Sequence, residues 1–407
     1  MKPFEPAQLG PKTLRNRIVK AATFEGRTRR GAVSDELIAF HREVAAGGVG
    51  MTTVAYCAVA PDGRVFRDCL VVSRETQKDL GRLADAVHAE GALVSAQLGH
   101  AGLVADAMSN KARSLAPSRR FSPVAKGLVP PATRADMARV RNDFANAARL
   151  AVDAGFDCLE VHLGHNYLLS SFLSPNLNRR KDDFGGSIEN RSRFPREVVQ
   201  AVREAVGDRA AVTAKLNMTD GVPKGLQIEE SLVVGRLLEQ DGALDALQLT
   251  GGSSLLNGMY FFRGDVPLED FVATQPKALA PVVRMFLKRI MPRYPFEEAF
   301  FLEQAKQFRA ALSMPLMLLG GINRLETVQT GLDEGFAFAV MGRALLREPG
   351  LVNRWQSDPS YDGICTHCNR CAPTIYSRAG TTCVERFPAV LGAGTDSASS
   401  GTAGDHR

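Results

Sequence analysis

"ARLAVDAGFDCLEVHLGHNY", residues Ala148 to Tyr167, holds the transition on which the fold turns. Its first residues complete a helical pattern over Arg134–Asp153, opened by Thr133 as N-cap with Asp136 at the N3 position and closed by Gly155. A short apolar run, "CLEVH" (Cys158–His162), then reads as a strand, and polar residues crowd its far end. Helix, strand and polar tip form one unit of an alternating chain.

Seven further runs repeat that design. They are "RIVKAA" (Arg17–Ala22), "MTTVA" (Met51–Ala55), "LVSAQ" (Leu93–Gln97), "AVTAKL" (Ala211–Leu216), "ALQL" (Ala246–Leu249), "LMLL" (Leu316–Leu319) and "FAVM" (Phe338–Met341). Helical patterns lie between them, so the strands must pair in parallel, because each return needs a crossover. Eight such units in a chain of 407 residues predict an α/β fold of the (β/α)8 TIM-barrel type with insertions. The rival, a doubly wound sheet with a dinucleotide domain, lacks its G-x-G-x-x-G turn anywhere in the chain.

The residues at the far end of each strand carry the functional reading. These tips are Thr23-Phe24-Glu25, Tyr56-Cys57, Gln97 to His100, His162 to Tyr167, Lys215 to Asn217, Thr250-Gly251-Gly252, Gly320-Gly321 and Gly342-Arg343. Active sites of such barrels form at these C-terminal ends, with phosphate commonly held after strands seven and eight. The segment Gly252–Ala311 is too long for a bare connection and predicts an aromatic, basic lid or subdomain. The expected organisation is a single barrel domain over residues 1–355, a cysteine-rich extension over 356–387 and a disordered tail over 388–407.

Composition narrows the function classes. Hydrophobic residues make up 45% and charged residues 23%, and no apolar run is long enough to span a membrane. The N-terminus lacks the apolar centre of a signal peptide, which predicts a cytoplasmic location. The net charge of +6 comes as scattered arginine pairs without interleaved aromatics, so a nucleic-acid partner is not expected.

His162 and His165 could ligate a metal, yet no third ligand stands nearby; alternatively they donate to a carbonyl or phenolate oxygen. Tyr167 offers a proton to a carbanion, or simply packs. Gly320-Gly321 and Gly342-Arg343 present backbone N–H groups and a fork-shaped cation to a phosphate, or serve tight turns. Gln97 and Lys215 could bond a heterocycle and stabilise its reduced, anionic form, or fill the polar top of the barrel.

Taken together, "NRIVKAATF" (Asn16–Phe24), "AQLGHAG" (Ala96–Gly102), the run from His162 through "FLSPNLNRRKDDFGGSIENR", "LLGGINRLETVQ" and "VMGRALLREP" resemble the Old Yellow Enzyme family of FMN-dependent ene-reductases over Pro3–Pro349. The resemblance implies FMN as cofactor, NAD(P)H as reductant, and a small-molecule substrate with an activated alkene. His162 and His165 would hold the substrate oxygen and Tyr167 would deliver the proton. Gln97 would bond the flavin pyrimidine, Lys215 its N1/O2 side, and the backbone of Ala21, Ala22 and Thr23 would line the ring. Gly320, Gly321, Gly342 and Arg343 would hold the phosphate. The chain departs from the family at Phe24, where threonine or cysteine is common, and at Lys215, where arginine is common.

Cys365, Cys368, Cys371 and Cys383 stand as C-x2-C-x2-C-x11-C. This is similar to the cysteine cluster of dienoyl-CoA reductases and trimethylamine dehydrogenases, which implies a [4Fe-4S] cluster; a structural zinc and unmetallated thiols are the alternatives. Only a cluster would call for an electron-transfer partner or a mate in a homo-oligomer. The second functional reading is accordingly an FMN/iron–sulfur dehydrogenase.

Overall fold

The computed structural model describes residues 1–377 and 379–388, so the expected disordered tail lies, but for Pro388, outside the described residues. Eight parallel strands close into a barrel: β1 (Ile18–Lys20), β2 (Met51–Ala58), β3 (Leu93–Gly99), β4 (Cys158–Leu163), β5 (Ala211–Asn217), β6 (Ala246–Thr250), β7 (Leu316–Leu319) and β8 (Phe338–Met341). Each pairs with its successor in the chain, and β8 returns to β1. Every expected strand is present. Tyr56 and Cys57, read as the tip of the second run, instead lie inside β2, whose register shifts between Val54 and Cys57.

Strand alternation sorts the side chains into two shells. Leu159 and Val161 of β4, Val212 and Ala214 of β5, and Leu247 and Leu249 of β6 pack outward on the helices. The alternate positions Met51, Cys158, Ala211, Ala246 and Phe338, at the starts of their strands, form a separate interior cluster with Ala7, Leu9 and Leu14. Those last three belong to an N-terminal hairpin, Ala7–Leu9 with Lys12–Leu14, that plugs the lower mouth with apolar side chains. Toward the upper mouth the inward positions turn polar.

The outer helix Arg134–Asp153 has the expected bounds, because its capping box forms: the Thr133 hydroxyl accepts from the Asp136 N–H and the Asp136 carboxylate accepts from the Thr133 N–H. Gly155 follows with φ +96°, a conformation that ends the helix and that a side chain would resist. The long segment after β6 folds as short helices, Met259–Phe262, Leu268–Ala273 and Ala280–Ile290. Its expected end is corrected: Leu302–Ala311 is the ordinary outer helix before β7, with Ala305 and Phe308 buried. A hairpin in the β3 connection, Arg120–Ser122 with Gly127–Val129, went unread in the sequence. Among the described residues no helix is long and apolar enough to cross a membrane.

Candidate active site at the upper barrel mouth

The polar tips gather in four groups around the upper mouth. The first is aromatic and imidazole. His162 is buried at the end of β4, and its ring lies 4.7 Å from that of Tyr167 in an edge-on arrangement and 5.2 Å from that of His165. Tyr56 completes the group, 5.3 Å from Tyr167, and Phe261 of the insertion lies 4.5 Å from His165.

His165 and Asn166 both hold left-handed backbone, φ +60°. Such conformations cost about 1 kcal/mol or more each and persist only where neighbours impose them. The Asn217 side chain braces the first of them: its Oδ1 accepts from the His165 N–H at 3.1 Å, while its Nδ2 donates to the Gly252 carbonyl and to Asp220. One buried amide thus joins the tips of β4, β5 and β6.

Burial pushes the His162 pKa well below the ordinary imidazole value, and the charges of His165 and Lys215 add to the effect. Burial and Lys215 bring His165 down to about 3. Both rings are therefore neutral near pH 7, each with one N–H to donate. The His165 Nε2 lies 3.1 Å from the Thr250 hydroxyl, whereas the buried His162 Nδ1 has no partner among the described residues. Burial raises the Tyr167 phenol well above its usual value, with the Cys69 and Tyr376 charges pushing the same way, so the phenol keeps its proton.

The second group lies one layer deeper. The Gln97 Nε2 donates to Glu160 Oε1 at 2.6 Å, and Lys215 Nζ lies 3.0 Å from the same oxygen. Gln248, in the orientation that satisfies both its ends, donates to Glu160 Oε2 and accepts from Lys215, each at 3.0 Å. The strand register makes these neighbours, since Gln97 pairs with Glu160 and Lys215 with Gln248. Gln97 and Lys215, read separately in the sequence, meet through Glu160; Glu160 and Gln248 were missed. Their signal was available, because an acid inside a buried strand must turn inward to find a cation.

The third group fixes the tip of β1. Lys20 and Glu25, both buried, pair at 2.5 Å, and Lys20 also donates to the Thr23 hydroxyl. The Ala55 N–H reaches Glu25 Oε2 at 2.6 Å, and His41 approaches the same oxygen. Burial alone would raise the Glu25 pKa, but the Lys20 ammonium and His41 overcome it and hold the carboxyl at about 2. This anchors the backbone from Ala21 through Ala22 to Thr23. A Cβ on Gly342 would stand 3.6 Å from Thr23 and 4.0 Å from Ala21, so the tips of β1 and β8 adjoin.

The fourth group is the pair of turns after β7 and β8. Gly320 and Gly321 have φ of +119° and +75°, and a Cβ at Gly321 would come within 2.6 Å of Phe300. Only glycine suits both demands. Among the described residues, the backbone N–H groups of Gly321, Gly342 and Arg343 meet no acceptor. Unpartnered N–H donors beside an arginine suit the phosphate of FMN. The unpartnered, buried His162 Nδ1 suits a polar atom of a bound ligand.

The four cysteines carry no disulfide. Burial raises the Cys365 thiol and pushes that of Cys371 up to about 12, so both keep their protons in the metal-free chain. Among the described residues no three acidic, cysteine or histidine side chains converge on a point suited to one metal ion.

The family described as "NADH:flavin oxidoreductase / NADH oxidase family" matches residues 2–248. The 4,4'-dithiodibutanoate disulfide reductase of Rhodococcus erythropolis is 63% identical over 388 residues, covering 95% of this chain and 96% of that one. The metal reductase of Desulforamulus reducens is 32% identical over 384 residues; the match covers 94% of this chain and 53% of that one, so this chain spans about half that relative's length. Among solved structures, 2-naphthoyl-CoA reductase superposes with a TM-score of 0.81 at 23% identity, covering 96% of this chain and 57% of that one. The old yellow enzyme homologue from Zymomonas mobilis superposes at 0.71 with 21% identity, covering 96% and 99%. Both share the fold.

Proposed function

The chain belongs to the NADH:flavin oxidoreductase / NADH oxidase family, the Old Yellow Enzyme group, and we propose that it uses NAD(P)H and FMN to reduce a small organic disulfide bearing carboxylates. The observation that carries this reading is the 63% identity, across nearly the full length of both chains, with a relative named for such a substrate. The reaction balances as one disulfide, one NAD(P)H and one proton giving two thiols and NAD(P)+.

FMN, when bound, supplies two-electron transfer as hydride. Gly320, Gly321, Gly342 and Arg343 would hold its phosphate, Ala21 to Thr23 and Gln97 its ring system, and Lys215 would stand at its pyrimidine side. Glu160 tempers Lys215, because the pair neutralise each other at 3.0 Å. Neutral His162 and His165 would donate to the polar group of the substrate and hold it in place. The Tyr167 O–H, kept protonated by burial, would protonate the departing thiolate.

An activated alkene is the second reading, favoured by the two imidazole donors beside a phenol. They could draw charge onto a carbonyl oxygen while Tyr167 protonates carbon. For the cysteines we propose a [4Fe-4S] cluster, on the C-x2-C-x2-C-x11-C spacing of Cys365, Cys368, Cys371 and Cys383.

The test is anaerobic. The yellow protein is bleached with NADH or NADPH, then mixed with 4,4'-dithiodibutanoate or with cyclohexenone, and the return of colour is timed. Faster return with the disulfide, with two thiols formed per reductant consumed, supports the first reading. Return with cyclohexenone alone replaces it by the second. No bleaching by either nucleotide sinks both.

A further inference from the structure

We propose that Asn369, within the cysteine segment, is a positioning residue that aims Arg343 at the flavin phosphate, so that this segment governs how tightly FMN is held. The proposal rests on the reading of the β7 and β8 turns as the phosphate site.

Arg343 opens the short helix after β8. Its Nη1 donates to the Arg263 carbonyl at 2.9 Å and to the Asn369 Oδ1. Among the described residues it pairs with no carboxylate, and neither its Nε nor its Nη2 meets an acceptor. One nitrogen of the fork is thus tethered by two neutral oxygens, leaving the other edge free to face an anion with two parallel N–H groups. Neutral tethers suit that role. A carboxylate in place of Asn369 would fix the guanidinium equally well but would cancel its charge and repel a phosphate.

Asn369 is itself immobilised. It is buried, with φ +58°, a conformation asparagine tolerates better than most residues. Its Nδ2 donates to the Asp265 carbonyl at 2.9 Å and to that of Arg263 at 3.4 Å. On either side of it, the His367 carbonyl accepts from the Asp265 N–H at 3.1 Å, and Arg370 pairs with Asp270 at 2.8 Å. The loop that carries the cysteines is therefore bolted to the insertion and, through Asn369, to Arg343.

The same segment reaches the opposite end of the site. The Thr381 N–H donates to the Glu25 carbonyl at 2.8 Å and its hydroxyl donates to the Phe24 carbonyl at 2.6 Å. It thus grips both the phosphate turn, through Asn369 and Arg343, and the tip of β1, through Thr381.

The experiment titrates deflavinated protein with FMN and with riboflavin, which lacks the phosphate, following flavin fluorescence. Asn369→Gly preserves the left-handed backbone and removes the amide. It should weaken FMN about tenfold and leave riboflavin within about twofold. Asn369→Asp, nearly isosteric and so a safeguard against misfolding, should weaken FMN further while sparing riboflavin. In an Arg343→Lys background, Asn369→Gly should lose most of its effect, because the two act as one unit. Equal losses for both flavins, no loss for FMN, or losses that simply add to those of Arg343→Lys would overturn the proposal. A wild-type chain that binds FMN no better than riboflavin would refute the phosphate site itself, a result visible before any variant is made.

Discussion

Tyr167 separates proton delivery from the rest of the proposed reaction. Reduction of the flavin by NAD(P)H draws on no protein acid, whereas release of thiols does. Tyr167→Phe should therefore leave the first half-reaction within about twofold and slow the second about a hundredfold, in the range that a placed general acid contributes. Stopped-flow measurement of the two half-reactions separates them; equal slowing of both would assign Tyr167 to binding. Glu25 allows a different test. Glu25→Gln keeps the shape but leaves the buried Lys20 ammonium without its anion. Breaking such a pair costs about 3–5 kcal/mol, to be read from urea unfolding. At this scale the placement of His162, His165, Tyr167 and Arg343 at or just past strand ends was legible, whereas Gln97 and Lys215, read as tips, lie within their strands one layer deeper. The partners of these residues were not legible. Glu160 was passed over as a strand residue, and Asn217 was named only within a polar tip, because most of what each bonds lies beyond its own strand.

Among the elements, legibility followed locality. The helix Arg134–Asp153 could be bounded from Thr133, Asp136 and Gly155, since caps act between residues three or four apart. Thr133→Ala should cost about 1 kcal/mol, seen as a lower melting temperature with flavin binding intact. The insertion was legible as an insertion, but its elements were not, because helix Ala280–Ile290 buries none of its residues and leaves Val282, Met285 and Phe286 exposed. A helix with so little burial opens easily. Its amides should exchange with deuterium well ahead of those of Arg134–Asp153, a comparison that hydrogen-exchange mass spectrometry makes within one sample. Protection equal to that of the barrel helices would mean that the segment is covered in solution.

For the molecule as a whole, the buried titratable groups set an acid limit. His165 is held at about 3 and His162 lies well below its ordinary value, so the unfolded chain binds protons near pH 6.5 that the folded chain refuses. Stability is thus full above pH 6.5 and falls as the pH drops from there toward 3. Glu25, held at about 2 against an ordinary 4.5, adds a second loss between those values. The urea midpoint should decline from pH 6.5 downward, and His165→Gln should flatten the decline between pH 6.5 and 4.5, before Glu25 begins to titrate. An unchanged slope would place the imidazole's proton uptake elsewhere.

By itself the sequence determined the alternation of strands and helices, the closed eight-stranded order that results from it, and the polar tips that make one end chemically active. Those are encoded locally, in periodicity, caps and glycines. Only the tertiary structure decided who meets whom: Lys215 with Glu160 across two strands, Asn369 with Arg343, and Thr381 with Phe24 from opposite ends of the chain. Such pairings depend on strand register and on where a long irregular segment comes to rest, and no short-range pattern carries that information.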